Sequence, residues 1–168
     1  NLPDGKVMCA EEFVSIAESM GVISKMDYIL MEKAFRKAAA SSYRGLLFIN
    51  ISPKALILNE FVPNVRRLTR EYGIEPANIV FEITERETVK NMALLERFVL
   101  DLKLENYKFA IDDFGAGFSS YQYLKRFPVD FLKVEGEFIR GMTNTGAVSL
   151  VNARISPPPF VPSVIAHW

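Results

Sequence analysis

The sequence predicts an α/β fold built on a parallel sheet, and three observations predict it. Short apolar runs recur at 46–51, 79–83, 109–111 and 131–134. Stretches with helical spacing separate the first three. The runs are too continuous for strands with one wet face, and read as strands covered on both sides. Strand–helix alternation of this kind favours a parallel sheet, either an open doubly wound one or a (β/α)8 barrel. No Gly-x-Gly-x-x-Gly opens a helix, which weakens the dinucleotide-binding option. A complete barrel takes roughly 250 residues, so the 168 residues here would hold part of one.

The elements can be justified in order. Ala10 to Met20 places Phe13, Ile16, Ala17 and Met20 at helical spacing, and Gly21 stops it. Ser24 to Ala40 reads as a second helix, with Ser24 as N-cap and Asp27 as a first-turn acid. Its apolar stripe is read as Met26, Leu30, Ala34 and Ala38, with Met31 and Phe35 beside it. The run from Leu46 to Ile51 is a strand closed by Ser52-Pro53. A helix follows, with Phe61, Val65, Leu68 and Tyr72 on one face and Gly73 near its end. Ile79 to Ile83 is the second strand, and Val89, Met92, Leu95, Val99 and Leu102 stripe the next helix. Phe109 to Ile111 is the third strand and Phe131 to Val134 the fourth. A short helix is expected from Ser119 to Phe127, ending before Pro128, and another from Glu137 to Met142. Beyond Met142 the texture changes. Ser156 to Pro159, with Pro162, excludes regular structure and reads as a tail, with a proline-rich partner ligand as the alternative.

Bulk properties exclude several classes. Hydrophobic residues are 49% and charged residues 24%, an ordinary globular balance. Twenty basic and twenty acidic side chains cancel, so charge does not steer the chain to nucleic acid or an anionic membrane. No apolar run is long enough to span a bilayer, and no secretory pattern opens the chain. Cys9 is alone, which excludes a disulfide framework and leads us to expect a reducing, cytoplasmic setting, with any membrane anchor elsewhere in a parent protein. Asn1 to Gly5 reads as a turn and not as a natural start, so a longer parent chain is expected.

Each strand carries a polar residue near its carboxyl end: Asn50, Glu82, Asp112 with Asp113, and Lys133. Their separations are of the order of one strand–helix unit, so a parallel sheet would bring them to one rim. That rim is where α/β barrels and open α/β sheets keep their sites. An amide oxygen and three carboxylates suit Mg²⁺ or Mn²⁺, and no His or Cys cluster suggests zinc. Lys133 among carboxylates should stay protonated and could orient a water or neutralise a phosphate. Plainer readings exist for each residue taken singly. Glu82 and Lys133 could form an internal ion pair, Asn50 could be a core amide, and Asp112-Asp113 could cap a turn, with Ser119 or Ser120 as N-cap of the next helix. Four such coincidences at consecutive strand ends outweigh those readings, because unpaired buried charge is costly. Asp113-Phe114-Gly115 also matches the kinase metal-binding triplet, but no glycine-rich phosphate loop or His-Arg-Asp loop accompanies it. An enolase-like enzyme with Lys133 as base is a weaker possibility.

With these residues in hand the chain resembles the EAL domain family, bacterial cyclic di-GMP phosphodiesterases. The matching segments are EFVSIAESMGVI from Glu12 to Ile23, Asn50-Ile51-Ser52, Phe81 to Glu85, DDFGAGFSS from Asp112 to Ser120, and FLKVEG from Phe131 to Gly136. They run in family order over residues 4–142. The resemblance implies a partial (β/α)8 TIM-like barrel, with residues 1–142 as the domain and 143–168 outside it. It implies metal-dependent hydrolysis of cyclic di-GMP to linear pGpG, with Mg²⁺ or Mn²⁺ as cofactor. Asn50, Glu82, Asp112 and Asp113 would be metal ligands, and Lys133 would position the attacking water. Glu85 would hold the loop from Asp113 to Ser120, which in the family serves dimerisation and activation. A homodimer and an upstream sensory or diguanylate-cyclase-like domain are expected for the same reason. Three departures stand out. The Glu-Ala-Leu tripeptide would lie before Asn1. Val134-Glu135 replaces the usual Ile-Asp, so Glu135 stands where the family has a shorter acid. The later strands, with a further glutamate and a substrate-binding glutamine, are not legible in 143–168. The chain alone is therefore expected to be weakly active or inactive, and a non-catalytic cyclic di-GMP receptor or interaction module is the alternative.

Overall fold

The computed structural model describes residues 10–115 and 127–134. The order is α1 (Ala10–Ser19), α2 (Ile23–Ala40), β1 (Leu47–Asn50), α3 (Pro53–Leu56), α4 (Phe61–Tyr72), a 3₁₀ turn (Pro76–Asn78), β2 (Ile79–Thr84), α5 (Glu85–Leu104), β3 (Lys108–Phe114) and β4 (Phe131–Val134). The expected helices at 119–127 and 137–142, the tail from 143, Cys9 and His167 lie outside the described residues.

The strands form one parallel sheet in the order β1-β2-β3-β4, each beside its predecessor. A doubly wound sheet reverses its strand order and needs helices on both faces. Among the described strands the order never reverses. The core joins Ile49, Phe81, Ile83, Phe109 and Ile111 to Met31 and Phe35 of α2, Val65 and Leu68 of α4, and Leu95, Val99 and Leu102 of α5. Side chains alternate along a strand, so this helix-facing set leaves Phe48, Asn50, Val80, Glu82, Ala110, Asp112, Phe131 and Lys133 for the other face. The sheet is strongly curved towards that second face. Neighbouring strands lie about 4.8 Å apart, so the outer strands of a flat four-stranded sheet would be roughly 14 Å apart. Yet the rings of Phe48 on β1 and Phe131 on β4 meet edge-on with centroids 5.5 Å apart. Sequential order, helices on the convex face and a concave face closed on itself are the geometry of part of an α/β barrel.

Local chemistry accounts for most element ends. Gly73 adopts a left-handed φ of 62° as C-cap of α4. Thr84 accepts a hydrogen bond from the Glu87 amide and caps α5. Ser52 does the same for α3 through the Ala55 amide.

Five expectations are corrected. Helix α2 starts at Ile23, with Val22 as N-cap, so Ser24 does not cap it. Its buried stripe is Ile23, Asp27, Met31, Phe35 and Ala38, and Leu30 is exposed. A four-residue spacing fits two neighbouring stripes, and only packing against β1, α3 and α4 chooses between them. On α1 only Ala17 of the expected stripe is buried, while Phe13, Ile16 and Met20 are exposed. Finally, β1 is half-buried and not covered on both faces, because it is an edge of the described sheet. The α5 stripe is interrupted as well: Asn91 leaves helical geometry and Val89 turns outward.

Candidate functional site

The polar rim forms at the carboxyl ends of the strands. Asn50 ends β1 and stands opposite Glu82 on β2. Thr84 on β2 stands opposite Asp112 on β3. Lys133 lies on β4 and reaches across to both acids. Its Nζ donates to Asp112 Oδ2 at 2.7 Å and lies 3.1 Å from Glu82 Oε1. The structure thus brings Glu82, Asp112 and Lys133 into one cluster on the concave face.

Glu82 is 4% exposed, and its Oε1 has ion-pair contact with Lys133 but no hydrogen-bond partner. Burial pushes its carboxyl above the ordinary range, while Lys133 pulls it back and Asp112 and Asp113 push it further up. Burial disfavours the Lys133 ammonium, but its bond to Asp112 and the Glu82 charge outweigh that, and its pKa rises. The lysine is therefore a fixed cation, as expected, and an unactivated proton donor rather than a base.

The acid pair on β3 is not a simple alternation at a strand end. The strand continues to Phe114, and between Ile111↔Leu132 and Phe114↔Val134 it holds one residue more than β4. This is a bulge. Asp113 carries a φ of 54°, in the left-handed region, and its amide donates to Asp112 Oδ1 at 3.0 Å. The extra residue lets Phe114 return to the helix-facing core. Asp113 stays exposed but within reach of its neighbour. Burial raises its carboxyl pKa first and the Asp112 charge adds to that, with Lys133 opposing.

Glu85 opens α5 directly below this turn. It is 1% exposed, and its Oε2 accepts from the Gly115 amide at 3.0 Å. Gly115 has a φ of 98°, a conformation glycine adopts without strain. Glu85 therefore grips the first residue after the acid pair. Glu135 lies outside the described residues.

The donor chemistry fits a hard divalent cation. An amide and three carboxylates supply oxygen alone, and the buried Glu82 Oε1 has the Lys133 ammonium as an ion-pair contact without a well-formed hydrogen bond. Among the described residues no three carboxylate, thiol or imidazole groups close on one point. The lysine ammonium takes the place between Glu82 and Asp112 instead.

Two supporting features were misread or missed: Asp27, expected as a first-turn acid, lies beyond the first turn of α2, and Asp130 escaped the sequence reading. Asp27 sits inside the apolar stripe of α2 and accepts from the Ser52 amide at 2.9 Å. An acid in phase with Ile23, Met31 and Phe35 would have signalled it, had the stripe been phased correctly. Asp130 accepts from Lys103 Nζ at 2.6 Å and from the Phe109 amide at 2.9 Å, tying the start of β4 to α5 and β3. No sequence signal joined those residues.

Curved parallel strands with acids and a lysine at their carboxyl rim define an α/β-barrel protein with a polar rim site. The model of the EAL domain family matches residues 1–156, and the chain belongs to that family. The matched span runs past residue 142, where the domain was expected to end, and residues 143–156 lie outside the described ones. The chain is 29% identical over 143 residues to the cyclic di-GMP phosphodiesterase PdeB of Shewanella oneidensis, covering 83% of this chain and 17% of that protein. It is 30% identical over 140 residues to the signaling protein YkoW of Bacillus subtilis, covering 82% and 18%. The chain thus spans less than a fifth of these relatives' length. Among solved structures, the PaMucR phosphodiesterase in complex with c-di-GMP superposes with a TM-score of 0.73 at 26% identity, over 84% of this chain and 59% of that one. The FimX EAL domain from Pseudomonas aeruginosa bound to c-di-GMP gives 0.75 at 22% identity, over 86% and 59%, a likeness of fold alone. Among the described residues no helix is long and apolar enough to cross a membrane.

Proposed function

We propose that this chain contributes the rim of a metal-dependent cyclic di-GMP phosphodiesterase, which opens one of the two phosphodiester bonds to give linear pGpG. The observation that carries the reading is Lys133, held as a cation between Glu82 and Asp112 on adjacent parallel strands. Asn50, Glu82, Asp112 and Asp113 would hold Mg²⁺ or Mn²⁺, and Glu135 follows Lys133 closely enough in sequence to support the same rim. A bound divalent cation supplies Lewis-acid stabilisation of the phosphoryl oxygens and an activated nucleophile. The protein's own contributions are positional. Lys133 keeps its proton and so offers a donor to water or to a phosphate oxygen. Glu85 fixes Gly115 and with it the turn that presents Asp113. Self-association and an upstream sensory or diguanylate-cyclase-like domain belong to the same proposal, on the family resemblance.

The test is direct. The purified parent protein, with the segments that flank this chain, is incubated with cyclic di-GMP and Mg²⁺ or Mn²⁺, and products are separated by chromatography. Linear pGpG that disappears with a chelator is the expected result. No product with either metal refutes the enzymatic reading, and calorimetric binding without turnover would assign a receptor role instead.

A further inference from the structure

Asp27 is the one acid on the buried face of α2, between Ile23 and Met31. It is 6% exposed, burial raises its carboxyl pKa, and among the described residues the one charge acting on it is the acid Glu18. A buried carboxylate without a cation is expensive. A helix face packed on its neighbours could have carried an apolar side chain there. What Asp27 does instead is accept the Ser52 amide, two residues past Asn50. Ser52 then caps α3 through the Ala55 amide. Between them, the Ile51 amide donates to the Glu82 carbonyl at 3.0 Å. The turn leaving Asn50 is therefore held at successive amides, one tied to β2 and one to α2.

This matters because β1 is an edge of the described sheet and Asn50 is its last residue. Only β2 flanks it there. Ile51, Ala55 and Leu56 pack apolar groups on the helices, but Asp27 gives the Ser52 amide its hydrogen bond to α2. Without it the backbone leaving Asn50 would lose that directional hold, and the Asn50 amide could swing relative to Glu82. We propose that Asp27 is a positioning residue that aligns Asn50 with Glu82 for cation binding, an inference that rests on the phosphodiesterase reading above. It acts from the helix layer, through backbone, and touches neither cation nor substrate.

Three variants test this in the whole protein. Asp27→Leu fills a similar volume without an acceptor. Asp27→Ser is too short to reach the Ser52 amide, and covers the case in which the leucine variant does not fold. Asp27→Asn keeps an acceptor. Mn²⁺ affinity is read by titration calorimetry, turnover of cyclic di-GMP by chromatography, and folding by circular dichroism. Loss of a group that orients a ligand typically weakens metal binding or activity by about 10- to 100-fold, and that loss is expected for the leucine and serine variants with cooperative unfolding retained. The asparagine variant should stay within about threefold of wild type, since its oxygen still accepts the amide. Wild-type Mn²⁺ affinity in a folded leucine or serine variant overturns the positioning role while the phosphodiesterase reading stands. So does failure of asparagine to restore it. A wild-type protein that neither binds Mn²⁺ nor yields pGpG overturns both.

Discussion

Replacing Lys133 with methionine removes the cation from a cluster that otherwise holds only acids. The side chain keeps its length, so the change is mainly electrostatic. Breaking a fully buried pair costs about 3–5 kcal/mol, whereas exposed pairs contribute roughly 1 kcal/mol or less. Glu82 is 4% exposed, but Lys133 and Asp112 have side chains 29% and 21% exposed. A loss of about 2 kcal/mol, between those limits, is therefore expected. For a domain of this size that lowers Tm by roughly 4–8 °C. The loss should depend on pH. Without Lys133, the Glu82 carboxyl rises further above its ordinary value of 4.5. A carboxyl with a raised folded pKa contributes stability that is present below its unfolded pKa and lost as pH rises through the folded one. Neutral Glu82 needs no partner, so the deficit should be full near pH 8 and shrink as pH approaches about 4.5. Thermal unfolding with a chelator present measures it at both ends. Adding Glu82→Gln to Lys133→Met should recover about half of the loss or more, because the uncompensated charge is gone. A single variant that unfolds with wild type near pH 8, or that loses as much at low pH as at high, would refute this account. In the active protein the same change should lower kcat by about 10²-fold or more if the ammonium positions the nucleophile.

Other predictions concern the supports of the site. Asp27→Asn should stabilise the fold by about 1 kcal/mol near neutral pH, since it removes a buried charge and keeps the acceptor. Burial holds the Asp27 carboxyl above 3.8, so the gain should vanish below that pH and grow as pH rises through the folded value; denaturant titrations at several pH values check the sign. Asp130→Ala removes the acceptor for Lys103 and for the Phe109 amide. It should cost about 1–2 kcal/mol and speed hydrogen exchange at Phe109, measured by NMR. Gly73→Ala meets no atom within 4 Å of the new Cβ, so its cost is conformational alone. The φ of 62° puts that cost at about 1 kcal/mol, read as a lower midpoint with an unchanged denaturant slope.

Much of the fold was legible because its signals are local. An apolar run bounded by Ser52-Pro53 or Thr84-Glu85 announces a strand, and Gly21 and Gly73 mark helix ends through their own backbone freedom. The rim residues were legible for the same reason. A polar side chain that closes an apolar run is visible in one dimension, and parallel strands must place such residues together. The helix faces were not legible to one residue. Met26 and Asp27 are adjacent, and each belongs to a four-residue series of comparable apolarity. Which series faces inward depends on the strands and helices packed against α2, and these lie far away in sequence.

By itself, the sequence determined the alternation of strand and helix, the parallel sense of the sheet, and the identity of Asn50, Glu82, Asp112, Asp113 and Lys133 as rim residues. The tertiary structure decided how they relate. Curvature that brings Phe48 to Phe131 selects the barrel geometry. The bulge at Asp113 keeps two adjacent acids at one rim. The 2.7 and 3.1 Å contacts of Lys133 bind three strands through one ammonium, and the buried Asp27 ties a helix to the end of β1. These features arise from groups that are distant in the chain and close in space. Their energies depend on shared burial and separation, which a linear pattern does not carry.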